Sequence, residues 1–262
     1  MDPSSCDIVN KKFPPDHLRI FVYQGDVKKD IITTEGKIKH LLFAFSSIES
    51  ISEEFLQALP DVENLILNGN QKFPKLTKYF FQNFPKLSLI YIHNNEDLQI
   101  DDDALTGLEK LKILSVQGLR YSELNKNVFQ GLENLKRLSM VKCQIENIDE
   151  ESFQHMKNLE EINLSSNNLH RFKFGTFEGL EKMKELSLQN NKLGNLDWTQ
   201  FNILPTLEYI DLCDNNMTKF DVAKMKEMFP KIQKINIMSN CFTEEELERV
   251  ENQLMILGVK IE

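Results

Sequence analysis

Nine segments of this chain carry the same apolar triplet at a spacing of 24 or 25 residues, and that period decides most of what the chain can fold into. The segments begin at Ile38, Val62, Leu87, Leu111, Leu135, Leu159, Met183, Leu207 and Ile232. Their first, fourth and sixth positions are Leu, Ile, Val, Met or Phe at all 27 sites. With hydrophobic residues making up 41% of the chain, chance agreement of that extent is on the order of 10^-10. The ninth position is Asn70, Asn95, Asn167, Asn191, Asn215 or Asn240 in six segments, and Ser46, Leu119 and Cys143 in the others.

Each segment supplies one short strand whose inward side chains a single repeat cannot bury, so neighbours must stack into a continuous core. An Asn at the turn suits that stacking, because its amide both donates and accepts towards the adjacent coil. Phe129, Phe153, Phe177 and Phe201, each 18 residues after a segment start, are placed to fill the wider half of the coil. The clearest copy runs from Leu159 to Leu180, LEEINLSSNNLHRFKFGTFEGL. These residues resemble the leucine-rich repeat family, in its typical 24-residue subclass, which is associated mainly with extracellular proteins. The resemblance implies an α/β fold, a right-handed solenoid or horseshoe of about nine repeats with a parallel sheet on its concave side. Residues 1–37 then form an N-terminal cap, 38–242 the repeats and 243–262 a C-terminal helical cap.

In the N-terminal cap, Leu18, Ile20 and Val22 alternate with Arg19, Phe21 and Tyr23, which predicts a strand, and Gln24, Gly25 and Asp26 predict a turn. Pro14 and Pro15 forbid helix just before it. A strand paired with the first repeat would protect the exposed edge. Extracellular family members often close this end with a cysteine cluster, whereas this chain has Cys6 alone. At the other end, Thr243 followed by Glu246 predicts a capping box, and Leu247, Val250, Leu254 and Leu257 recur at helical spacing before Gly258. That helix covers the end of the core, or serves as a partner-binding helix. Among the less regular repeats, the second holds an extra residue between Gln71 and Pro74, which moves its aromatic positions to Phe81 and Phe84. The third holds an acidic loop, Asn95 to Asp103, reading NEDLQIDDD, where calcium is conceivable but the alternate ligands, Gly and distal Glu of an EF-hand are missing, and the fourth, with Leu119 at the turn, is expected to bulge.

A formal charge of −9 and a pI near 5.2 argue against nucleic acid or an anionic membrane as partner. No apolar run is long enough to span a membrane. The polar start, MDPSSCDIVNKKFPPD, holds no signal peptide, so a secreted form is expected to have lost one. Cys143 is expected to be a buried small residue. Cys213 and Cys241 are offset by about 10 Å along adjacent coils, too far for an unstrained bridge. Cys6 is either a free thiol or an intermolecular bridge that would make a dimer.

Positions two, three, five, seven and eight of each segment face the concave surface. In the N-terminal third they include Leu42, Phe45, Ile66, Leu89, Tyr91 and Ile113, an apolar patch of the kind that marks binding sites. Further along they include Ser139, Glu160, Glu161, Asn163, Glu185, Glu208, Tyr209, Asp211 and Asp214, which suggests either a basic protein partner or a solvated face. Tyr91 and Tyr209 are the best single contacts, since Tyr offers large area at low rotamer entropy.

No phosphate-binding glycine loop, HExxH helix or GxSxG elbow appears. His40 and His93 lie two repeats apart and cannot share a small ion, and Cys213 sits between Asp211 and Asp214, which disfavour its thiolate. No catalysis, cofactor or metal is therefore expected. Asn163-Leu164-Ser165 and Asn216-Met217-Thr218 are glycosylation sequons. The chain is also similar to the mosquito leucine-rich immune proteins, as a short, coil-less form. That resemblance implies binding of proteins in haemolymph, including thioester-containing complement-like factors. The function expected is a secreted, non-catalytic module of innate immunity that binds a protein through the concave face. The alternatives are a receptor for a microbial lipid or glycan, and an intracellular scaffold.

Overall fold

The computed structural model describes residues 14–32, 36–95 and 97–262; Cys6, and with it the dimer expected through that thiol, lies outside them. The chain divides into two compact units, one reaching to Leu119 and including Gln130–Leu132, the other holding Arg120–Phe129 and Glu133–Glu262.

In the first unit the elements follow the order β1 (His17–Phe21), β2 (Gln24–Val27), β3 (His40–Ala44), β4 (Ser47–Ile51), α1 (Glu53–Gln57), β5 (Asn64–Asn68), α2 (Lys78–Gln82), β6 (Leu89–His93) and β7 (Ile113–Gln117). Strands β1, β3, β5, β6 and β7 pair in that order, all parallel and without slippage. The cap strand β1 thus adds a rung in the register of the repeats, with Leu18 and Ile20 opposite Leu41 and Phe43. Behind it, β2 pairs with β4 in a second parallel sheet whose register shifts between Gly25 and Asp26. The turn expected at Gln24–Asp26 is therefore a strand. The first repeat offers β4 as a template, and Gly25 at φ +115° takes up the irregularity. Ser52 and Thr77 cap α1 and α2 by accepting from the N–H of Phe55 and Phe80. The extra residue of the second repeat is absorbed without loss of packing, since Phe81 and Phe84 are buried.

The second unit contains β8 (Glu123–Leu124), β9 (Arg137–Val141), β10 (Asn147–Ile148), β11 (Glu161–Asn163), β12 (Glu185–Ser187), β13 (Tyr209–Asp211), α3 (Val222–Met228), β14 (Lys234–Asn236), α4 (Glu244–Ile256) and β15 (Lys260–Ile261). Strands β9, β11, β12, β13, β14 and β15 form its parallel sheet, and β8 pairs with β10 behind it. Phe129, Phe153, Phe177 and Phe201 stack as a spine, with ring centroids 5.7, 6.3 and 5.3 Å apart and planes within 25°. Such pairs add about 0.5–1.5 kcal/mol each beyond the area they bury.

Helix α4 begins at Thr243, whose Oγ1 accepts from the N–H of Glu246. The returning half of the expected capping box is replaced: the Glu246 carboxylate accepts from the N–H of Phe220 and from Arg249. Those donors, Arg249 foremost, lower its pKa to about 2. Val250 and Leu254 are fully buried, whereas Leu247 and Leu257 are exposed, so the helix docks through a narrower stripe than its sequence spacing suggests. After Gly258, at φ +68°, the last residues add β15 to β14, a strand too short to show any period.

Where the strands end, buried side-chain amides take over the backbone bonding. Asn167 accepts at Oδ1 from the N–H of Cys143 and of Ile145, at 2.9 and 3.1 Å, and donates from Nδ2 to the carbonyls of Met140 and Leu164, at 2.7 and 2.8 Å. Asn191, Asn215 and Asn240 repeat the scheme in the second unit. In the first, Asn95 donates to the carbonyls of Leu67 and His93 and accepts from Asn70, whose own amide accepts from the N–H of Ser46 and donates to the Phe43 carbonyl, and the Ser46 hydroxyl donates to the Ala44 carbonyl and accepts from the N–H of Tyr23.

Getting the ninth side chain inside requires a break in strand alternation. Inward side chains at positions four and six would put position eight inside and nine outside. A residue of positive φ at position eight reverses that parity in every repeat: Phe45, Gly69, Asn94, Gly118, Lys142, Ser166, Asn190, Asp214 and Ser239, at φ between 51° and 83°. Val22, at φ 49°, does the same in the cap rung. Phe45, Lys142, Ser166 and Ser239, with Val22 in the cap, bear side chains that resist this region at roughly 1 kcal/mol each, so there the buried neighbours and core must impose it.

Asn167→Ala would strand two buried N–H groups and the Met140 carbonyl, while the Leu164 carbonyl keeps the Asn191 amide as a donor. It is expected to lower the unfolding free energy by about 2–4 kcal/mol in a urea melt, against less than about 0.5 kcal/mol for the exposed neighbour His170→Ala. A loss below about 1 kcal/mol for Asn167→Ala would contradict the role given to the amide.

Candidate binding face

The register of the first unit places Leu42, Ile66 and Tyr91 in one row across the sheet, and Leu89 beside Ile113 in the row next to it. Their inward neighbours Leu41, Leu65, Ile90 and Leu114 are at most 1% exposed, so alternation turns the row residues outward. Leu42, Ile66, Leu89 and Ile113 are half-buried and Tyr91 is exposed. Adjacent strands lie about 4.8 Å apart, so the apolar strip crosses four strands over about 14 Å.

Tyr91 stacks on His93, ring centroids 3.5 Å apart, and His93 Nε2 lies 2.8 Å from the Ser115 hydroxyl. Burial lowers the pKa of His93, which keeps the imidazole neutral at pH 7 and the face uncharged there. At the margin Phe45, 59% exposed, owes its outward position to the parity switch, and its ring covers Gly69. A Cβ on Gly69 would come within 2.7 Å of that ring.

The face of the second unit is different in kind. Position two alternates in sign along Lys136, Glu160, Lys184 and Glu208, and Glu160 lies 3.6 Å from Lys136 and 2.9 Å from Lys184. The Lys184 ammonium holds the Glu160 carboxyl below its usual pKa. One column over, Arg137 pairs with Glu161 at 3.0 Å. The acidic character expected from Glu160 and Glu161 is therefore largely compensated within the face. Such solvated pairs contribute only about 0–1 kcal/mol each.

Position five serves the turn: Asn163, Asp211 and Asn236 each accept from the N–H two residues on, at 2.9, 3.0 and 3.1 Å. Asp211 is buried, and burial raises its pKa. Tyr209 donates from its hydroxyl to Glu262 at 2.6 Å, and Glu262 also pairs with Lys234, whose ammonium lies 5.4 Å from the Tyr209 ring. Of the four candidates in this unit, Glu161 is thus ion-paired, Asp211 holds a turn and Tyr209 is clasped by the chain end. Glu185 remains exposed. The six candidates of the first unit, by contrast, lie on one surface.

Among the described residues no disulfide forms: Cys143 is buried, Cys213 half-buried and Cys241 exposed. Of the two sequons, Asn163 is half-buried and its Oδ1 accepts from both the N–H and the hydroxyl of Ser165, whereas Asn216 is exposed at φ +58°. In the acidic loop Asn95 is buried in the amide row, and Lys75 pairs with Asp101. Among the described residues, no helix is long and apolar enough to cross a membrane. One cluster with metal-binding geometry is present among them, Asp16 with His17 and His40; pairing His40 with the distant His93 overlooked the cap strand that brings His17 beside it.

The sequence profile described as "Leucine rich repeat" matches residues 85–145, 134–193 and 181–242, together more than half of the chain. The chain belongs to the leucine-rich repeat family. No curated protein sequence matches it. Among solved structures, this leucine-rich repeat protein is similar to a chain of the TLR13–ssRNA13 complex, with TM-score 0.71 and 23% identity over 87% of this chain and 36% of that one. It is also similar to a chain of an octameric complex of Latrophilin 3, Unc5D and the leucine-rich repeats of FLRT2, with TM-score 0.74 and 20% identity over 93% of this chain and 74% of the other. A third is a chain of the glycosylated Toll–Spatzle complex of Drosophila, with TM-score 0.70 and 18% identity over 86% and 34%. The protein thus spans about a third of the chains matched in the TLR13 and Toll complexes. These likenesses establish the fold: an α/β leucine-rich repeat solenoid with parallel strands.

The contact of Phe45 with Gly69 can be tested by a double-mutant cycle. Gly69→Ala is expected to destabilise by about 1–3 kcal/mol, part of it from the positive φ of 67° and part from the ring. In a Phe45→Ala background the same change should cost about 0.5 kcal/mol less or better, and equal costs in the two backgrounds would remove the contact from the account.

Proposed function

We propose that this leucine-rich repeat protein is a non-catalytic recognition module that binds a protein partner on the sheet face of its first unit. One observation carries the proposal: Leu42, Ile66, Leu89, Tyr91 and Ile113 adjoin across four strands in a row structure that needs none of them for its core. A contiguous apolar strip turned outward is what a protein interface buries at its centre. Tyr91 is the anchor, rigidly stacked on His93, and Phe45 extends the strip at its rim.

Two of the matched structures support this reading by what their descriptions say of those proteins: Toll is held in complex with Spatzle, and the leucine-rich repeats of FLRT2 in complex with Latrophilin 3 and Unc5D. The TLR13 structure is a complex with single-stranded RNA, but a net charge of −9 disfavours a phosphate backbone here. We place the protein outside the cell, in innate immunity. The typical repeat subclass, the exposed sequon at Asn216 and the description of Toll–Spatzle as a hub of development and innate immunity support that placement.

A photo-crosslinking residue at position 91, compared with one at the exposed Tyr79 on α2, tests the reading in the native fluid. The expected result is a discrete protein adduct from position 91 only, lost in Ile66→Glu while the circular dichroism melt stays within about 2 °C. Equal labelling from both positions, or lipid or glycan adducts in place of protein, would overturn it.

A further inference from the structure

We propose a binding site for zinc, formed by Asp16, His17 and His40 where the cap strand meets the first repeat. The residues come together because β1 and β3 pair in parallel with His17 directly opposite His40. Both imidazoles stand on the outward face, stacked with centroids 4.2 Å apart and planes at 27°. Asp16 precedes His17 and presents one carboxylate to the two rings, with Oδ1 3.8 Å from His17 Nε2 and Oδ2 3.9 Å from His40 Nε2. All three donor atoms lie within 4.8 Å of one another.

Two imidazole nitrogens and one carboxylate oxygen are a donor set that zinc accepts, and one that magnesium and calcium, which need oxygen, do not. Zinc–ligand bonds of about 2.0–2.2 Å in a tetrahedron put donor atoms about 3.3 Å apart. The donor atoms now lie within 4.8 Å of one another, so binding draws them together by side-chain rotation that unstacks the two rings. The side chains of Asp16, His17 and His40 retain 35, 26 and 32% of their exposure, which leaves an entry path and a fourth position for water or a partner's side chain.

The surroundings favour the same assignment. Asn64, opposite His40 on β5, lies with its amide nitrogen 2.8 Å from His40 Nδ1. The two ends of an amide are interchangeable by rotation. With Asn64 Oδ1 towards the ring, His40 donates its Nδ1–H to it and keeps Nε2 for the metal. Asn64 Nδ2 then faces the Ser88 hydroxyl, now 3.5 Å from Oδ1, and that hydroxyl in turn donates to the Glu63 carbonyl. An orienting acceptor of this kind is a regular companion of a ligating histidine. Asn64 is thus a positioning residue.

Bound there, zinc ties the cap strand to the first repeat and opens a coordination position on the same face as the apolar strip. The test is competition between the metal-free full-length protein and a chromophoric chelator, with zinc chloride as the only probe. One zinc per chain with Kd below about 10 μM is expected. His17→Gln and His40→Gln should each weaken binding at least about 100-fold, and Asn64→Leu about 10–100-fold. His155→Ala and His170→Ala, both exposed and elsewhere, should bind as the parent does. Circular dichroism confirms that each variant is folded. Absence of binding in the parent, or binding that survives the His17→Gln/His40→Gln double variant and therefore belongs to thiols, would overturn the proposal.

Discussion

Where the strands end, backbone N–H and C=O groups lose their ladder partners, and in six of the nine repeats an Asn amide at the ninth position, buried in all but Asn240, takes them. Leaving such groups bare costs about 1–3 kcal/mol each, so a stack of repeats could not tolerate many orphans. Asn is suited because one short side chain both donates to the carbonyls of its own and the preceding coil and accepts from the preceding coil's N–H groups. Ser46 meets part of the requirement with a hydroxyl, and Cys143 leaves its own N–H to be satisfied by Asn167 of the next repeat. At Ser46 and Cys143 the next rung still carries the amide, at Asn70 and Asn167, and accepts from their N–H groups.

The same constraint explains the left-handed residues. To turn the ninth side chain inward, the eighth must reverse the alternation, and it does so whether it is Gly, Asn, Lys, Ser or Phe. Gly, Asn or Asp eases this at five of the nine places, but Phe, Lys and Ser fill the other four, so composition marks the position only weakly. That is why the period, the inward triplets, the Phe spine and the Asn positions were legible in the sequence, while the parity switch was not. The first group follows from spacing, whereas the switch is a consequence of burying a polar group, whatever residue precedes it. The strand at Gln24–Val27 was hidden for a related reason: its residues read as a turn until a parallel template, β4, is available beside them.

The candidate site was legible in the same uneven way. Row membership followed from period and alternation, so Leu42, Ile66, Leu89, Tyr91 and Ile113 could be placed on one face from the sequence. The local use of each polar residue could not. Asp211 holds a turn, Glu160 and Glu161 are answered by Lys136, Lys184 and Arg137 from neighbouring rungs, and Tyr209 meets the chain end at Glu262. Those cations occupy the same columns one period away, so comparing charges down a column, in place of along a strand, would have exposed the compensation. His17 escaped notice because the cap strand lies outside the period, although its pairing with β3 is what sets it beside His40.

The central claim, that side-chain amides carry backbone bonding between coils, is most directly tested by hydrogen exchange at the amides that point to an Asn Oδ1: Cys143, Ile145, Leu169 and Met217. These lie outside the strands, yet their protection should fall within about tenfold of strand amides such as Ile162 and Leu186. Exchange as fast as that of exposed turn amides such as His170 would contradict the account.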